Sequence, residues 1–149
     1  MGGCGKAAAR AVYNEVMKYY LAKSEPHDYS IDDLERDGET IWDGIHNYQA
    51  INFIKGVEIG DQVYIYSSQI GKDIVGLAEV SSAPFENTDD PRFSWAMKIK
   101  FVKKYMQKLT LAEIKAEPVC ADFLLVRNPR LSFMPVTDAA QAWISQRLA

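Results

Sequence analysis

The stretch that decides the fold occupies residues 61–80 and reads DQVYIYSSQIGKDIVGLAEV. Residues 61–68 alternate in the manner of a β-strand, and residues 73–80 form a second run with strand character. The four residues between them, QIGK, contain Gly71 and have the length and composition of a hairpin loop. The stretch therefore predicts two neighbouring antiparallel strands of a β-sheet.

Further strands are predicted on both sides of this hairpin. Upstream, KYYLAK at residues 18–23 is short and aromatic, and Pro26 ends it. Downstream, SWAMKIKFVKKY at residues 94–105 places apolar side chains on one face and lysines on the other. A last short strand is expected near residues 131–134.

Short helices are predicted between and after the strands. The first reads SIDDLERDG and has a capping-box pattern, and the second is expected over residues 47–55. The side chains expected to cap the four helices are Ser30, Asn47, Thr110 and Thr137. No helix of crossover length separates successive strands, which argues against a doubly wound parallel sheet. The pattern favours an α+β domain built on a curled or barrel-like sheet.

Length and composition favour one ordinary soluble domain. The chain has 149 residues, of which 48% are hydrophobic and 25% charged. Residues 1–16 are interpreted as a leader or extension, and residues 17–149 as the domain. No apolar run has the length of a membrane span, and Cys4 and Cys120 indicate neither a disulfide framework nor a zinc site. We therefore expect a cytoplasmic location, no membrane partner and no metal or other cofactor.

Charge is distributed unevenly along the chain. The formal net charge of −3 argues against a general nucleic-acid coat protein. Residues 23–43 nevertheless carry eight acids against two bases, whereas residues 91–112 carry six bases and no acid. The basic segment is either a solvated face or a phosphate-facing strip. The residues assigned to that strip are Lys98, Lys100, Lys103 and Lys104, with Arg127 as a further contact.

The sequence contains no convincing catalytic constellation. Cys120 with His27 or His46 would supply a nucleophile and a base, but Cys120 borders an apolar run, where a buried thiol is the better interpretation. No glycine-rich phosphate loop is present, and two histidines nineteen residues apart are a weak metal signal.

The composition instead resembles that of a binding site for a flat ligand. Aromatic side chains offer stacking surfaces, and nearby polar groups can read the edge of a nucleobase. The aromatic candidates are Tyr29, Trp42, Tyr48 and Tyr66, and the polar candidates are Lys23, Glu25, Asn47, Ser67 and Ser68. The alternative is that these aromatic residues are half-buried members of the core.

Several motifs carry a specific family resemblance. K-S-E-P at residues 23–26, WDGIHNYQA at residues 42–50 and R-L-S-F-M-P-V at residues 130–136 occur in an order and spacing that resemble the EVE domain family. The resemblance covers about residues 18–147. It implies a PUA-like pseudobarrel, in which a curled mixed β-sheet is flanked by short helices. It also implies a pocket for an extruded and often modified base.

The resemblance carries individual pocket residues onto this chain. It assigns Lys23, Ser24 and Glu25 to the pocket, with Pro26 shaping the turn. The remaining assignments are Trp42, Asn47 and Tyr48 from the second motif, Tyr66, Ser67 and Ser68 from a strand end, and Arg130 and Ser132 at the rim or on a phosphate. A histidine is common in the family where this chain has Ser67, so any contribution from that side chain is missing here.

Three functions remain open from the sequence. The leading hypothesis is a non-catalytic module that recognises a modified or flipped base in DNA or RNA. The second is a sensor of a small molecule or nucleotide derivative that binds no polymer, and the third is an enzyme that acts on a modified base. The sequence does not distinguish DNA from RNA or set the oligomeric state.

Overall fold

The computed structural model describes residues 17–149. The proposed leader, residues 1–16, lies outside the described residues. The strands are β1 (Tyr19–Ser24), β2 (Glu39–Ile45), β3 (Gln62–Ser67), β4 (Asp73–Val80), β5 (Phe85–Glu86), β6 (Trp95–Thr110) and β7 (Phe133–Pro135). The helices are α1 (Ile31–Asp37), α2 (Tyr48–Ile54), α3 (Leu111–Ala116), α4 (Leu124–Arg127) and α5 (Asp138–Arg147), with a 3₁₀ turn at Pro118–Cys120.

One mixed sheet organises the described chain. Its strand order is β2-β6-β4-β3-β1-β7, and β5 adds to β6. β1 and β3 run parallel, and the remaining pairs are antiparallel. Short helices flank this curled sheet, as the predicted PUA-like pseudobarrel of the α+β class requires, and the fold prediction is confirmed.

The sheet curls because its longest strand is irregular. Between Gly76 and Ile74 of β4, the facing register on β6 jumps from Lys104 to Leu109, and a second shift falls between Leu77 and Ala78. Extra residues on one strand of a pair bend it and increase its twist. β6 can therefore pair with β2 through its first part while it follows β4 along most of its length.

The helix caps form as the sequence predicts. Ser30 accepts a hydrogen bond from the Asp33 backbone N–H at 3.1 Å, and Asn47 accepts one from Ala50 at 3.1 Å. Thr110 and Thr137 cap α3 and α5 in the same way. Each cap satisfies a backbone donor that the first helical turn leaves unpaired.

Two strand predictions require correction. β3 does not alternate between buried and exposed residues, because every residue from Gln62 to Ser67 is buried. It lies between β1 and β4 and is covered on both faces. The second correction concerns the segment around Trp42, for which the sequence predicts no strand. Trp42 lies on β2, where Thr40 and Trp42 are half-buried and Ile41 and Asp43 are exposed.

The core lies between the sheet and the helices. Ile51 and Ile54 of α2 and Leu34 of α1 are fully buried against sheet residues such as Ile99 and Phe133. Cys120 is also fully buried, which confirms its interpretation as a core thiol. Burial raises the pKa of that thiol and so disfavours the nucleophilic thiolate.

Candidate functional site: two adjoining clefts

The first cleft opens between the end of β1 and strand β2. Its volume is about 430 Å³, which suits a small flat ligand, and we call it the aromatic cleft. Its lining comes from the K-S-E-P turn, the loop that follows it and the β2 strand. The lining residues are Lys23, Ser24, Glu25, Asp28, Tyr29, Thr40, Ile41, Trp42 and Asp43.

Two rings give the aromatic cleft its flat surfaces. Tyr29 and Trp42 meet edge to face, with ring centroids 6.3 Å apart and an interplanar angle of 79°. The Tyr29 hydroxyl donates a hydrogen bond to Asp37 at 2.8 Å, which fixes its ring. Trp42 is held by its strand, since it pairs with Met97 of β6. Both rings are only partly buried, so each retains surface for a ligand.

The K-S-E-P turn is fixed by hydrogen bonds from three directions. The Ser24 hydroxyl donates to the Tyr29 carbonyl, and the Ser68 hydroxyl donates to the Ser24 carbonyl at 3.2 Å. Gln69 Nε2 donates to Glu25 Oε1 at 3.2 Å. The Lys23 backbone N–H donates to the Ser132 carbonyl at 2.9 Å. The turn is therefore held in place before any ligand arrives.

The second cleft lies on the other side of the same turn. Its volume is about 440 Å³, and we call it the basic cleft because Lys23, Lys72 and Arg130 outnumber its single carboxylate, Glu25. The lining residues are Lys23, Glu25, Tyr66, Ser68, Gln69, Lys72, Leu111, Leu125, Pro129, Arg130, Leu131 and Ser132. Lys23 and Glu25 line both clefts and therefore separate them.

The two clefts differ in the sign of their charge. The aromatic cleft has three carboxylates, Glu25, Asp28 and Asp43, against one cation, Lys23. Such a lining accepts hydrogen bonds from ligand N–H groups and disfavours an anion. The basic cleft has the opposite balance and suits an anion such as a phosphate. Together they suit a ligand with an amino-bearing ring next to a negative group.

Lys23 is held at the junction of the clefts. Its ammonium donates a hydrogen bond to the Pro129 carbonyl at 2.5 Å and lies 6.0 Å from the centroid of the Tyr66 ring. Burial lowers the pKa of this lysine. An ammonium group has three donors, so two remain for a ligand in either cleft.

Eight of the twelve pocket residues assigned by the resemblance lie in these two linings. Lys23, Ser24, Glu25 and Trp42 line the aromatic cleft, and Tyr66, Ser68, Arg130 and Ser132 line the basic cleft, where Lys23 and Glu25 also appear. The resemblance assigned none of Asp28, Thr40, Ile41 and Asp43, and Tyr29 was a candidate only through its aromatic ring. Thr40, Ile41 and Asp43 could have been found from the alternation of residues along β2. The acids and Gly44 in that segment are not typical of a strand, so the strand was not predicted.

The structure places the other four assigned residues outside both linings. Ser67 is buried, and its hydroxyl donates to the Ile70 carbonyl within the hairpin. Pro26 lies in the turn that follows β1. Asn47 caps α2, and Tyr48 lies on the surface with 73% of its area exposed.

The predicted basic strip lies on exposed positions outside both linings. Lys100 is paired with Glu79 at 3.4 Å, and Lys104 with Asp32 at 2.6 Å. Arg127 is paired with Asp122 at 3.4 Å. Lys98 and Lys103 form no ion pair with a described residue, which leaves these two lysines as the stronger candidates for contact with a phosphate.

Residues 17–149 contain neither a metal-binding cluster nor a helix able to cross a membrane. No cluster of three or more His, Cys, Asp or Glu side chains in this part of the chain is arranged to hold a metal ion. Nor does any helix within it have the length and apolar character needed to cross a membrane.

The chain is similar in sequence and in fold to several known proteins. Human thymocyte nuclear protein 1 is 25% identical over 168 residues, covering 89% of this chain and 74% of the human protein. The structure of a hypothetical protein from Leishmania major superposes with a TM-score of 0.81 at 31% identity, covering 89% and 94% of the two chains. Human THYN1 protein in complex with 5-methylcytosine-containing DNA superposes at 0.78 with 24% identity, covering 87% and 96%. Residues 18–147 match the EVE domain, and the chain therefore belongs to the EVE domain family.

Proposed function

We propose that this protein is a non-catalytic module that binds DNA carrying a modified cytosine, with the base extruded into the aromatic cleft. The observation that carries the proposal is the combination of two aromatic rings with three carboxylates around one opening of about 430 Å³. The complex of the human relative with 5-methylcytosine-containing DNA supports the choice of polymer and of base.

The lining of the aromatic cleft matches the chemistry of cytosine. A base that leaves the duplex needs stacking surfaces to offset the lost stacking in the helix. Trp42 and Tyr29 provide them, and stacking on an aromatic side chain is worth about 1–3 kcal/mol per base. The exocyclic amino group of cytosine donates hydrogen bonds, and carboxylates are the side chains that accept them. Glu25, Asp28 and Asp43 are available for that role.

The basic cleft suits the backbone next to the extruded base. Lys72 and Arg130 are exposed at its lining, and Lys23 lies between the two clefts. A guanidinium group binds a phosphate through two donors, whereas an ammonium group acts as a point charge. In this arrangement the phosphate beside the base reaches Arg130 while the base occupies the aromatic cleft.

The test is a comparison of Trp42 variants in DNA binding. Single-stranded and duplex oligonucleotides with one 5-methylcytosine, and the same sequences with cytosine, are titrated by fluorescence anisotropy. Trp42→Ala is expected to weaken binding of the modified oligonucleotide by roughly five- to 150-fold, because a stacking surface is lost. Trp42→Phe keeps a flat ring and serves as the matched control. Thermal unfolding of both variants separates lost binding from lost folding.

The other two hypotheses have distinct outcomes in the same experiment. A sensor of small molecules would bind the free modified nucleoside as tightly as the oligonucleotide, with no salt dependence, because a nucleoside releases no counterions. An enzyme would change the mass of the oligonucleotide on incubation. A folded Trp42→Ala protein that binds the modified oligonucleotide like the unaltered protein would contradict the proposal.

A further inference from the structure

A pair of exposed aromatic rings lies outside both clefts. Tyr48, the first residue of α2, has 73% of its area exposed, and Phe93, in the loop before β6, has 45% exposed. The ring centroids are 6.1 Å apart, with an interplanar angle of 39°. We call this pair the platform. Single exposed apolar residues are ordinary, but two exposed rings in contact with each other form a surface suited to a partner.

A polar cluster holds the loop that carries Phe93. Asp90 Oδ2 accepts a hydrogen bond from the Ser94 hydroxyl at 2.8 Å and lies 2.7 Å from His46 Nε2. Asp90 Oδ1 accepts one from the Arg92 backbone N–H at 2.9 Å. These contacts fix the residues on both sides of Phe93. Because the loop is already ordered, little conformational entropy is lost when a partner binds to the Phe93 ring.

A cation stands beside the platform. Arg92 directly precedes Phe93 in the loop, and its guanidinium donates a hydrogen bond to His46 Nδ1 at 2.8 Å. Arg92 is exposed, and among the described residues its guanidinium contacts only the His46 ring, through Nη2, which leaves most of its five donors free. Proteins that bind single-stranded nucleic acid combine exposed aromatic rings with cationic side chains. The bases stack on the rings, and the phosphates contact the cations.

The platform is connected to the basic cleft. Gln49, which follows Tyr48 on α2, accepts a hydrogen bond through Oε1 from Asn128 Nδ2 at 3.2 Å. Asn128 directly precedes Pro129 and Arg130, which line the basic cleft. The start of α2 and the segment that lines the basic cleft around Arg130 are therefore neighbours.

We propose that the platform binds the DNA strand beside the extruded base, with a neighbouring unpaired base stacked on Tyr48 and Phe93 and a phosphate on Arg92. This inference rests on the proposed function, since it requires a polymer in the basic cleft. It also changes the role of Tyr48, which contacts a flanking nucleotide and not the modified base itself. The aromatic cleft then recognises the modification, and the platform adds affinity for the polymer that carries it.

The test compares platform variants on matched ligands. The proteins are the unaltered chain, Tyr48→Ala, Phe93→Ala and the double variant. The ligands are a single-stranded oligonucleotide with one 5-methylcytosine, and the same strand with abasic sites at the neighbouring positions. For the intact strand each single variant is expected to lose roughly five- to 150-fold in affinity. On the abasic strand the unaltered protein is expected to lose affinity, and the variants to lose little more, because both changes remove the same contact.

Controls make the outcome specific to the platform. Tyr48→Phe keeps the stacking surface and is expected to retain binding, whereas Met106→Ala removes an exposed apolar side chain outside both clefts and is expected to change nothing. Equal affinity of the double variant and the unaltered protein for the intact strand would overturn the platform. If Trp42→Ala still weakens binding of the modified strand in that case, the proposed function stands. If instead Trp42→Ala binds normally and the platform variants do not, the aromatic cleft assignment fails.

Discussion

Lys23 shows how a single residue can serve two neighbouring clefts. It has no carboxylate within ion-pair distance among residues 17–149, and burial lowers its pKa. Its ammonium is held by a carbonyl oxygen and a ring face, which orient the charge without neutralising it. A lysine in this state gains more from a ligand anion than a lysine that is already paired with an acid.

The charge of the Asp90 carboxylate is expected to stabilise the fold. Its pKa is lowered to about 2 by hydrogen bonds from the Arg92 backbone, His46 and Ser94. Since this pKa lies below the ordinary value of 3.8, the carboxylate stabilises the fold above about pH 4, and that contribution is lost as the pH falls through the folded-state pKa. Asp90→Asn is therefore expected to lower the thermal midpoint at about pH 7, and the difference is expected to shrink toward about pH 3.

The neighbouring acid supplies the control for Asp90. Asp89 is exposed and makes no side-chain hydrogen bond to a described residue, so Asp89→Asn is expected to change the thermal midpoint little at about pH 7. A midpoint difference between Asp90→Asn and the unaltered protein that stays constant from about pH 7 to about pH 3 would show that the carboxylate charge is not responsible.

At the scale of elements, the packing of α1 on the sheet depends on one glycine. A Cβ atom at Gly76 of β4 would lie 2.3 Å from Ile31 Cδ1 and 2.9 Å from the Lys103 carbonyl oxygen. The end of the isoleucine side chain can move, but the carbonyl belongs to the paired strand. Gly76→Ala is therefore expected to lower the free energy of unfolding by about 1–3 kcal/mol through overpacking.

Denaturant unfolding measures this cost directly. Gly56→Ala is the matched control, because the nearest atom to a Cβ there is the Phe53 carbonyl oxygen at 3.6 Å, an ordinary contact distance. It is expected to change stability little. If Gly76→Ala proved as stable as Gly56→Ala, α1 would be able to move away from the sheet at no cost in free energy. The close approach of Ile31 to Gly76 would then not limit stability.

The elements that the sequence predicts well are those with local signals. Asn47 is recognisable as a cap from its position before an apolar pattern, and the hairpin of β3 and β4 from Gly71 between two apolar runs. β2 was missed because it is an edge strand with acids on its exposed face and a bulge between Trp42 and Ile45. The helix α4 was also missed, since LLVR over four residues gives no period to recognise.

Some residues of the site could be predicted from local sequence motifs, whereas the position of others depends on tertiary packing. The K-S-E-P and R-L-S motifs identify the residues on both sides of Lys23, and the structure places them in adjoining linings. The position of Tyr48 was not predictable from its motif. A residue directly after a helix cap faces either the sheet or solvent depending on how the helix docks, and α2 docks with Ala50, Ile51 and Ile54 inward.

At the scale of the whole molecule, an acidic protein must attract a polyanion locally. The net charge is −3, and two of the four lysines assigned to β6 are already paired with acids. Affinity for DNA should therefore depend on a few unpaired cations. We expect Lys98→Gln with Lys103→Gln to flatten the dependence of log K on log salt by up to about two units, one per lost phosphate contact.

The paired lysines of the same strand are the control for this measurement. Lys100→Gln with Lys104→Gln removes the same formal charge from β6 but takes it from ion pairs with Glu79 and Asp32. A smaller change in salt slope is expected for this pair. Identical slopes for both double variants and the unaltered protein would assign the whole basic strip to a solvated face.

The order of strands in the sheet also determines when the site can form during synthesis. β1 pairs with β3 on one side and with β7, at Phe133–Pro135, on the other. Lys23 receives its backbone partner from Ser132 and its side-chain partner from Pro129. Contacts between such distant parts of a chain form late, because the loop between them must close first. A chain still on the ribosome therefore cannot complete the contacts of the K-S-E-P turn until residues 129–135 have emerged, and the proposed DNA binding is expected only after β7 has been inserted.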